Sequence, residues 1–253
     1  GNRCFDQRVP EELNRKIVDH LSDINLPISD HARDYLKREG IAPNTIIKVG
    51  SSMFEVIEKQ LPKIDSSTIL DQLGVVDNNY FVVSLHREEN VDSKEKLILL
   101  IDSLNFICEY FNMELIFSIH PRTQKKITEY KLDEIMDARI RKMKPLGFND
   151  YIKLQKHSFC TISDSGTISE EASILNFPAI TIRETHERPE AMDEGTIIMT
   201  GLNKEHVLDS IKVATQQKNF SKTNDYFTKN LSSKIVKIIF SYTHYVNNFT
   251  WKK

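Results

Sequence analysis

The sequence predicts an α/β fold built on a parallel, doubly wound sheet. From Tyr80 onward, short apolar runs alternate with amphipathic stretches long enough to be helices. The first run, Tyr80 to Leu85, is almost continuously apolar, the pattern of a strand covered on both faces. Ionisable or small polar residues follow four of the runs, which places them where an open parallel sheet binds its ligands.

The elements follow in order. Pro10, Glu11 and Glu12 open a helix, with proline in the first turn and acids near the positive end of the dipole. Leu13, Ile17, Val18 and Leu21 continue it as an apolar face. Ile24 to Ile28 reads as extended. Ser29 caps a helix that stops at Gly40. Thr45 to Val49 reads as a strand, and Ser51 or Ser52 opens the next helix. Residues 62–79 are polar, carry Pro62, Gly74 and an Asn pair, and mark the expected domain boundary. Beyond it, strands are expected at Tyr80 to Leu85, Met113 to Ile119, Ile140 to Met143, Phe159 to Ser163, Ala179 to Ile182 and Ile197 to Met199. Helices are expected at 93–111, 123–136, 151–157, 167–176, 204–216 and 226–247, the last running into an aromatic tail around Trp251.

Composition bounds the function. With 253 residues, 40% apolar and 28% charged, the chain has globular composition and room for one large or two small domains. Lys and Arg number 34 against 36 Asp and Glu, a formal net charge of −2, which argues against a broad nucleic-acid binder but not against a local anion site. Cys4, Cys108 and Cys160 are odd in number and widely spaced, which makes neither a disulfide framework nor a zinc site. No run of 18 apolar residues and no signal-peptide pattern is visible, so the cytoplasm is the expected compartment and no membrane is involved.

The chemistry is expected after the strands. His86-Arg87-Glu88-Glu89-Asn90 follows the first, and His120-Pro121-Arg122-Thr123 the second. Ser163-Asp164-Ser165-Gly166-Thr167 precedes a helix carrying Glu170 and Glu171, and Arg183-Glu184-Thr185-His186-Glu187-Arg188 follows the next strand. The Ser165-Gly166-Thr167 turn presents backbone N–H groups at a helix N-terminus, a phosphate site in which glycine permits close approach. Glu171, a turn along, could accept hydrogen bonds from two ribose hydroxyls. The plainer alternative makes Ser165 an N-cap and Glu171 a surface acid. His86 and Arg87 suggest a proton donor beside a phosphate clamp, against a satisfied loop histidine. His120 has the same plain alternative. Glu11 and Arg15, one turn apart, read as a surface ion pair.

Taken together, these motifs resemble those of the non-hydrolysing UDP-N-acetylglucosamine 2-epimerases. The resemblance rests on His86 to Asn90, Ser163 to Ala172, Glu187-Arg188-Pro189-Glu190-Ala191, and Gly1-Asn2-Arg3-Cys4-Phe5 with Pro10 to Arg15. It runs through essentially the whole chain in order. It implies a GT-B-like pair of Rossmann-like domains with parallel sheets, the first incomplete in this chain: residues 1–62 the end of an N-terminal domain, 63–225 a UDP-binding domain, and 226–253 a helix and tail returning to the first. It implies inversion at C2 of a UDP-2-acetamido sugar by elimination and re-addition of UDP, without metal or redox cofactor, in a homodimer. By motif, Glu11 and His86 are implied as catalytic. Arg15, Arg87, His120, Ser165, Gly166, Thr167, Glu171 and Arg188 are implied as substrate-binding, with Arg87 and His120 at positions that meet a second, regulatory UDP-sugar in some members.

Three positions depart from the family pattern. Glu88 stands where a second Arg is usual, Thr167 where a second Gly is usual, and His186 where Thr is common. These variants look like the capsule and O-antigen branch that forms UDP-N-acetyl-L-fucosamine. A GT-B glycosyltransferase and a UDP-sugar-binding fragment are the competing expectations. Family members carry essential acids upstream of Gly1, so residues 1–253 alone are expected to be inactive.

Overall fold

A computed structural model describes residues 1–7, 9–185, 187–216 and 222–253. The chain begins with helix α1 (Pro10–Leu21), α2 (Asp30–Arg38), α3 (Met53–Asp65) and α4 (Ile69–Leu73). Then come β1 (Tyr80–Ser84), α5 (Glu88–Val91), α6 (Lys94–Phe111), β2 (Glu114–Ser118), α7 (Pro121–Glu129), β3 (Ile140–Met143), α8 (Phe148–His157) and β4 (Cys160–Ser163). The chain closes with α9 (Ile168–Leu175), β5 (Ala179–Thr181), α10 (Pro189–Asp193), β6 (Ile198–Met199), α11 (Lys204–Gln216) and α12 (Leu231–Tyr245).

The six strands form one parallel sheet in the order β3-β2-β1-β4-β5-β6. The chain therefore winds outward in one direction from β1 and then returns to build the other half from β4. The crevice at such a reversal, beyond the carboxyl ends of the two central strands, is where doubly wound sheets bind nucleotides. In β1, Phe81 and Val83 join the core under α6 and α11, while Tyr80 and Val82 join the opposite core with Ile69, Ile116 and Leu154. Both faces are thus dry, which is why the strand reads as an unbroken apolar run. Helix α6 follows the same logic. Leu97, Leu100, Ile101, Leu104 and Ile107 recur at helical spacing and are fully buried, and Ser93 caps the helix by accepting from the Lys96 N–H. Each such side chain contributes roughly 1.5–3 kcal/mol on leaving water.

The parallel sheet and its helices match the sequence reading, and the differences have local causes. The helix expected over 123–136 divides after α7, because Lys131 is left-handed (φ 57°) and the chain re-enters a short 3-10 turn at Leu132–Ile135. The last helix starts only at Leu231, after left-handed Asn230 (φ 54°), and ends in a π turn at Val246–Thr250. The extended segment 24–28 and the expected strand 45–49 do pair in parallel. Asn25 N–H donates to Thr45 O, Ile47 N–H to Asn25 O and Val49 N–H to Pro27 O. Pro27 has no N–H to donate, so the ladder stays a single bridge, and Pro43–Thr45 turns as a 3-10 helix. Half of the polar stretch 62–79 is helical, with Pro62 inside α3 and Ile69–Leu73 forming α4.

The C-terminal segment returns to the N-terminal one. Ser51 N–H donates to Asp225 O, Lys234 Nζ to the carbonyls of Lys48 and Val49, and Asn44 Nδ2 to the Tyr245 hydroxyl. Gly50 sits at the centre of this contact. It is left-handed (φ +94°), and a Cβ there would lie 1.8 Å from Thr228 Oγ1, whereas left-handed Gly40 (φ +87°) has open space. Gly40→Ala is expected to cost on the order of 1 kcal/mol in backbone strain, and Gly50→Ala on the order of 3 kcal/mol because collision adds to strain. Urea unfolding midpoints read the difference. Equal losses at the two sites would show that residues 225–228 do not pack on Gly50.

Candidate active site

The carboxyl ends of β1 and β4 meet at a buried aspartate. Asp164 follows β4 and is fully buried. It accepts from the His86 N–H (3.1 Å to both carboxylate oxygens), the Arg87 N–H (3.0 Å) and Asn90 Nδ2 (3.3 Å). Its Oδ1 also lies 3.2 Å from His86 Nδ1. A carboxylate removed from water is costly unless several donors surround it, and the loop after β1 supplies them. Asn90 donates as well to Ile182 O at the end of β5, so the loops after β1, β4 and β5 are tied together. The His86 side chain, with Nδ1 near this carboxylate, remains 46% exposed.

The Ser165-Gly166-Thr167 turn enters α9 here. Ser165 is not the N-cap. Thr167 holds that position, and no side-chain cap closes the helix end. The Ser165 hydroxyl pairs with Thr167 Oγ1 at 3.0 Å and reaches the Thr167 N–H only at 3.4 Å. A Cβ on Gly166 would lie 3.9 Å from Arg87 Nη2 and 4.0 Å from Glu187 Oε2, ordinary contact distances. The guanidinium of Arg87 and the carboxylate of Glu187 therefore both stand over the turn.

Glu187 is the second buried hub. It pairs with Arg15 Nη2 (2.5 Å), Arg87 Nη2 (3.1 Å) and Arg183 Nη2 (3.0 Å). Burial alone would push this carboxyl up, but Arg87, Arg15 and Arg183 together hold it down at about 2. The Glu11–Arg15 surface pair expected from spacing is not the pairing found. Arg15 reaches across to Glu187, and Glu11 is exposed. The buried acid of α1 is Glu12, which accepts from the Cys4 N–H at 2.9 Å. Helical spacing still places Glu11 on the Arg15 side of α1.

Other expected site residues are drawn inward. Arg188 donates through Nε and Nη2 to buried Glu170 (3.1 and 2.9 Å), which also accepts from the Ser51 hydroxyl, so this arginine is engaged in joining α9 to the start of α3. Glu171 is buried and accepts from Gln155 Nε2 at 2.9 Å, and burial pushes its carboxyl up. It is therefore no surface acid. The Tyr151 phenol is likewise pushed up, by burial and then by Glu171. His120 is exposed at the start of α7 and accepts from the Arg122 N–H (3.3 Å), a capping position on the β2 side of the crevice. Arg122 pairs with Glu88 and, at 2.5 Å, with Asp92, so the acid standing at the usual arginine position carries its own countercharge. His186 lies outside the described residues. Asp164, Glu12, Arg183 and Glu170 have no role in the sequence reading. Among the described residues, no group of three or more His, Cys, Asp or Glu is placed to hold a metal ion, and no helix is long and apolar enough to cross a membrane.

A parallel sheet of this order with a phosphate-type turn at its reversal defines an α/β protein of the GT-B-like kind. The family model for UDP-N-acetylglucosamine 2-epimerases matches residues 1–240, and the chain belongs to that family. A curated UDP-N-acetylglucosamine 2-epimerase of Methanocaldococcus jannaschii is 34% identical over 244 residues, covering 94% of this chain and 66% of that protein. The structure of the UDP-N-acetylglucosamine 2-epimerase from Rickettsia bellii superposes with a TM-score of 0.92 at 45% identity, covering 100% of this chain and 68% of that one. The M. jannaschii enzyme in complex with UDP-GlcNAc and UDP gives 0.87 at 33% identity, with 96% and 67% covered. The chain thus spans about two thirds of the length of the curated relatives it matches.

The Glu187 hub gives a pH prediction. Its carboxyl titrates at about 2 in the folded chain against an ordinary value of 4.5. A depressed acid stabilises the fold above its unfolded value and loses that contribution as pH falls toward the folded one. Stability on the order of 3 kcal/mol should therefore fade between about pH 4.5 and 2. In Glu187→Gln, less stable at neutral pH, that part of the acid limb should be absent. An unchanged limb by circular dichroism would contradict the three-arginine assignment.

Proposed function

We propose that this chain is the UDP-sugar-binding and catalytic portion of an epimerase that inverts C2 of a UDP-2-acetamido sugar. The observation that carries the reading is the meeting, at the β1–β4 reversal, of an uncapped Ser165-Gly166-Thr167 helix turn with a half-exposed histidine beside buried Asp164 and with Glu187, which Arg15 of α1 and Arg87 pair. The Gly166 and Thr167 N–H groups and the α9 dipole take the diphosphate, with Arg87 and Arg15 as countercharge. Glu171 takes the ribose hydroxyls, its buried carboxyl exchanging Gln155 for ligand. Arg188 shapes the site through Glu170, and His120 lines its β2 side.

The chemistry needs two things from the protein. The proton on C2, which bears the acetamido nitrogen and has no adjacent carbonyl, is weakly acidic, so a carboxylate must take it, and Glu11 on the Arg15 face of α1 has that role. As the C2–H bond breaks, the C1–O bond to UDP breaks and a C1–C2 double bond forms. The departing diphosphate then requires cationic and hydrogen-bonding stabilisation, which His86, Arg87 and Arg15 provide. Protonation of C2 on the opposite face and return of UDP to C1 complete the inversion. The reading extends to a homodimeric cytoplasmic enzyme of surface-polysaccharide precursor synthesis, with residues 1–62 and 63–225 as two Rossmann-like lobes and 226–253 as a returning strap. Glu88, Thr167 and His186 support a 6-deoxy-L sugar on the route to UDP-N-acetyl-L-fucosamine.

Calorimetry with UDP and incubation with UDP-GlcNAc or its 6-deoxy-L analogue in D2O test this. The chain should bind UDP, and Gly166→Val, which puts a branched side chain over the turn, should weaken binding at least about tenfold, a loss near 1.4 kcal/mol. In a full-length protein that contains this chain, the epimer should form with deuterium at C2. His86→Ala should then slow turnover by roughly 10²–10⁴. Sugar transfer to an acceptor with the C2 hydrogen retained, or undiminished turnover in His86→Ala, would overturn the reading.

A further inference from the structure

We propose that Asp164 is a positioning residue that holds His86 in its Nδ1–H tautomer, so that Nε2 is the nitrogen a ligand meets. The inference deepens the reading of His86 given above and rests on it for its functional consequence. His86 ends the chain segment leaving β1 and Asp164 the segment leaving β4. The sheet register pairs Ser84 with Ser163, so the two residues are neighbours by construction. The carboxylate has little freedom to turn away. The backbone N–H groups of residues 86 and 87 hold it from one side, and Asn90 Nδ2, itself anchored on Ile182 O, holds it from another. Its Oδ1 then faces His86 Nδ1 at 3.2 Å.

An ionised carboxylate can only accept, so with Oδ1 3.2 Å away a proton on Nδ1 is favoured over a bare lone pair there. A neutral imidazole has one N–H, and placing it at Nδ1 leaves Nε2 as an acceptor. The consequence for the chemistry is specific. Neutral His86 can take a proton at Nε2 but cannot donate one there. It can donate toward a departing diphosphate only as the imidazolium, a charge that Asp164 stands ready to balance. This is the orienting role that a buried aspartate plays toward a histidine in hydrolytic triads, here arising from a strand pair in a parallel sheet.

Asp164 also satisfies two backbone amides, so loss of activity on substitution would not separate positioning from folding. The ring nitrogens of His86 report on it directly. In long-range ¹H–¹⁵N spectra of the 253-residue chain, recorded above the histidine titration, Nδ1 should show the protonated, pyrrole-type shift and Nε2 the bare, pyridine-type shift. Free histidine in water favours the opposite form. Asp164→Asn, which can donate to Nδ1, should move the proton to Nε2 while the backbone amide spectrum keeps its dispersion. A wild-type ring with the proton on Nε2, or with both nitrogens averaged, overturns the proposal even if the variant does not fold. Adding UDP separates the two levels of the argument. An Nε2 signal that does not respond to bound UDP would sink the functional reading of His86 and leave the Asp164 assignment standing.

Discussion

The candidate site is assembled around one buried carboxylate. Glu187 faces guanidinium groups from α1, from the loop after β1 and from the end of β5. Each of those arginines would be costly to bury near the others without it, and Glu187 would be costly to bury without them. The consequence reaches past stability. Arg15 reaches Glu187 across 172 residues of sequence, and Glu187 and Arg87 both stand beside the Gly166 turn. The cations are collected and oriented around this carboxylate. Asp164 does the complementary work one layer deeper, fixing the loop that carries His86 and Arg87.

This arrangement explains the orientation of α1. The apolar stripe of an amphipathic helix normally points into the protein, and Leu13, Ile17, Val18 and Leu21 form such a stripe by their spacing. In the structure these four side chains are exposed, by 48–81%, while Glu12 and Arg15 point inward. The polar face of α1 is the face that serves the site. The apolar face is left outside.

How much could be read in advance follows from the range of each interaction. Strands β1, β2 and β4 and helices α6 and α11 were legible because their apolar periodicity is local and strong. The Ser29 cap and the turn before α9 were legible as short motifs. The brief helices α4, α5 and α10 carry too few residues for a period, and the α3 boundary was hidden by a proline that the helix tolerates near its end. That His86, Arg87, Ser165 and Gly166 follow neighbouring strands was visible because strand ends in a parallel sheet share one edge. Their partners were not. Asp164 meets His86 across 78 residues and Glu187 meets Arg15 across 172, and no local spacing encodes either contact. Glu11 and Arg15 show the cost of relying on local spacing: a plausible helix pair gave way to a buried partner from another element.

The linkage between α1 and the sheet edge is the point on which the assembled site stands, and a double-mutant cycle measures it most directly. Arg15→Met, Glu187→Gln and the double variant would be unfolded in urea beside the parent chain. A coupling of at least about 1 kcal/mol between the two positions is expected, since they share one buried network. Losses that add to within about 0.5 kcal/mol would show that Arg15 and Glu187 act independently and that α1 is not held to the site by this pair.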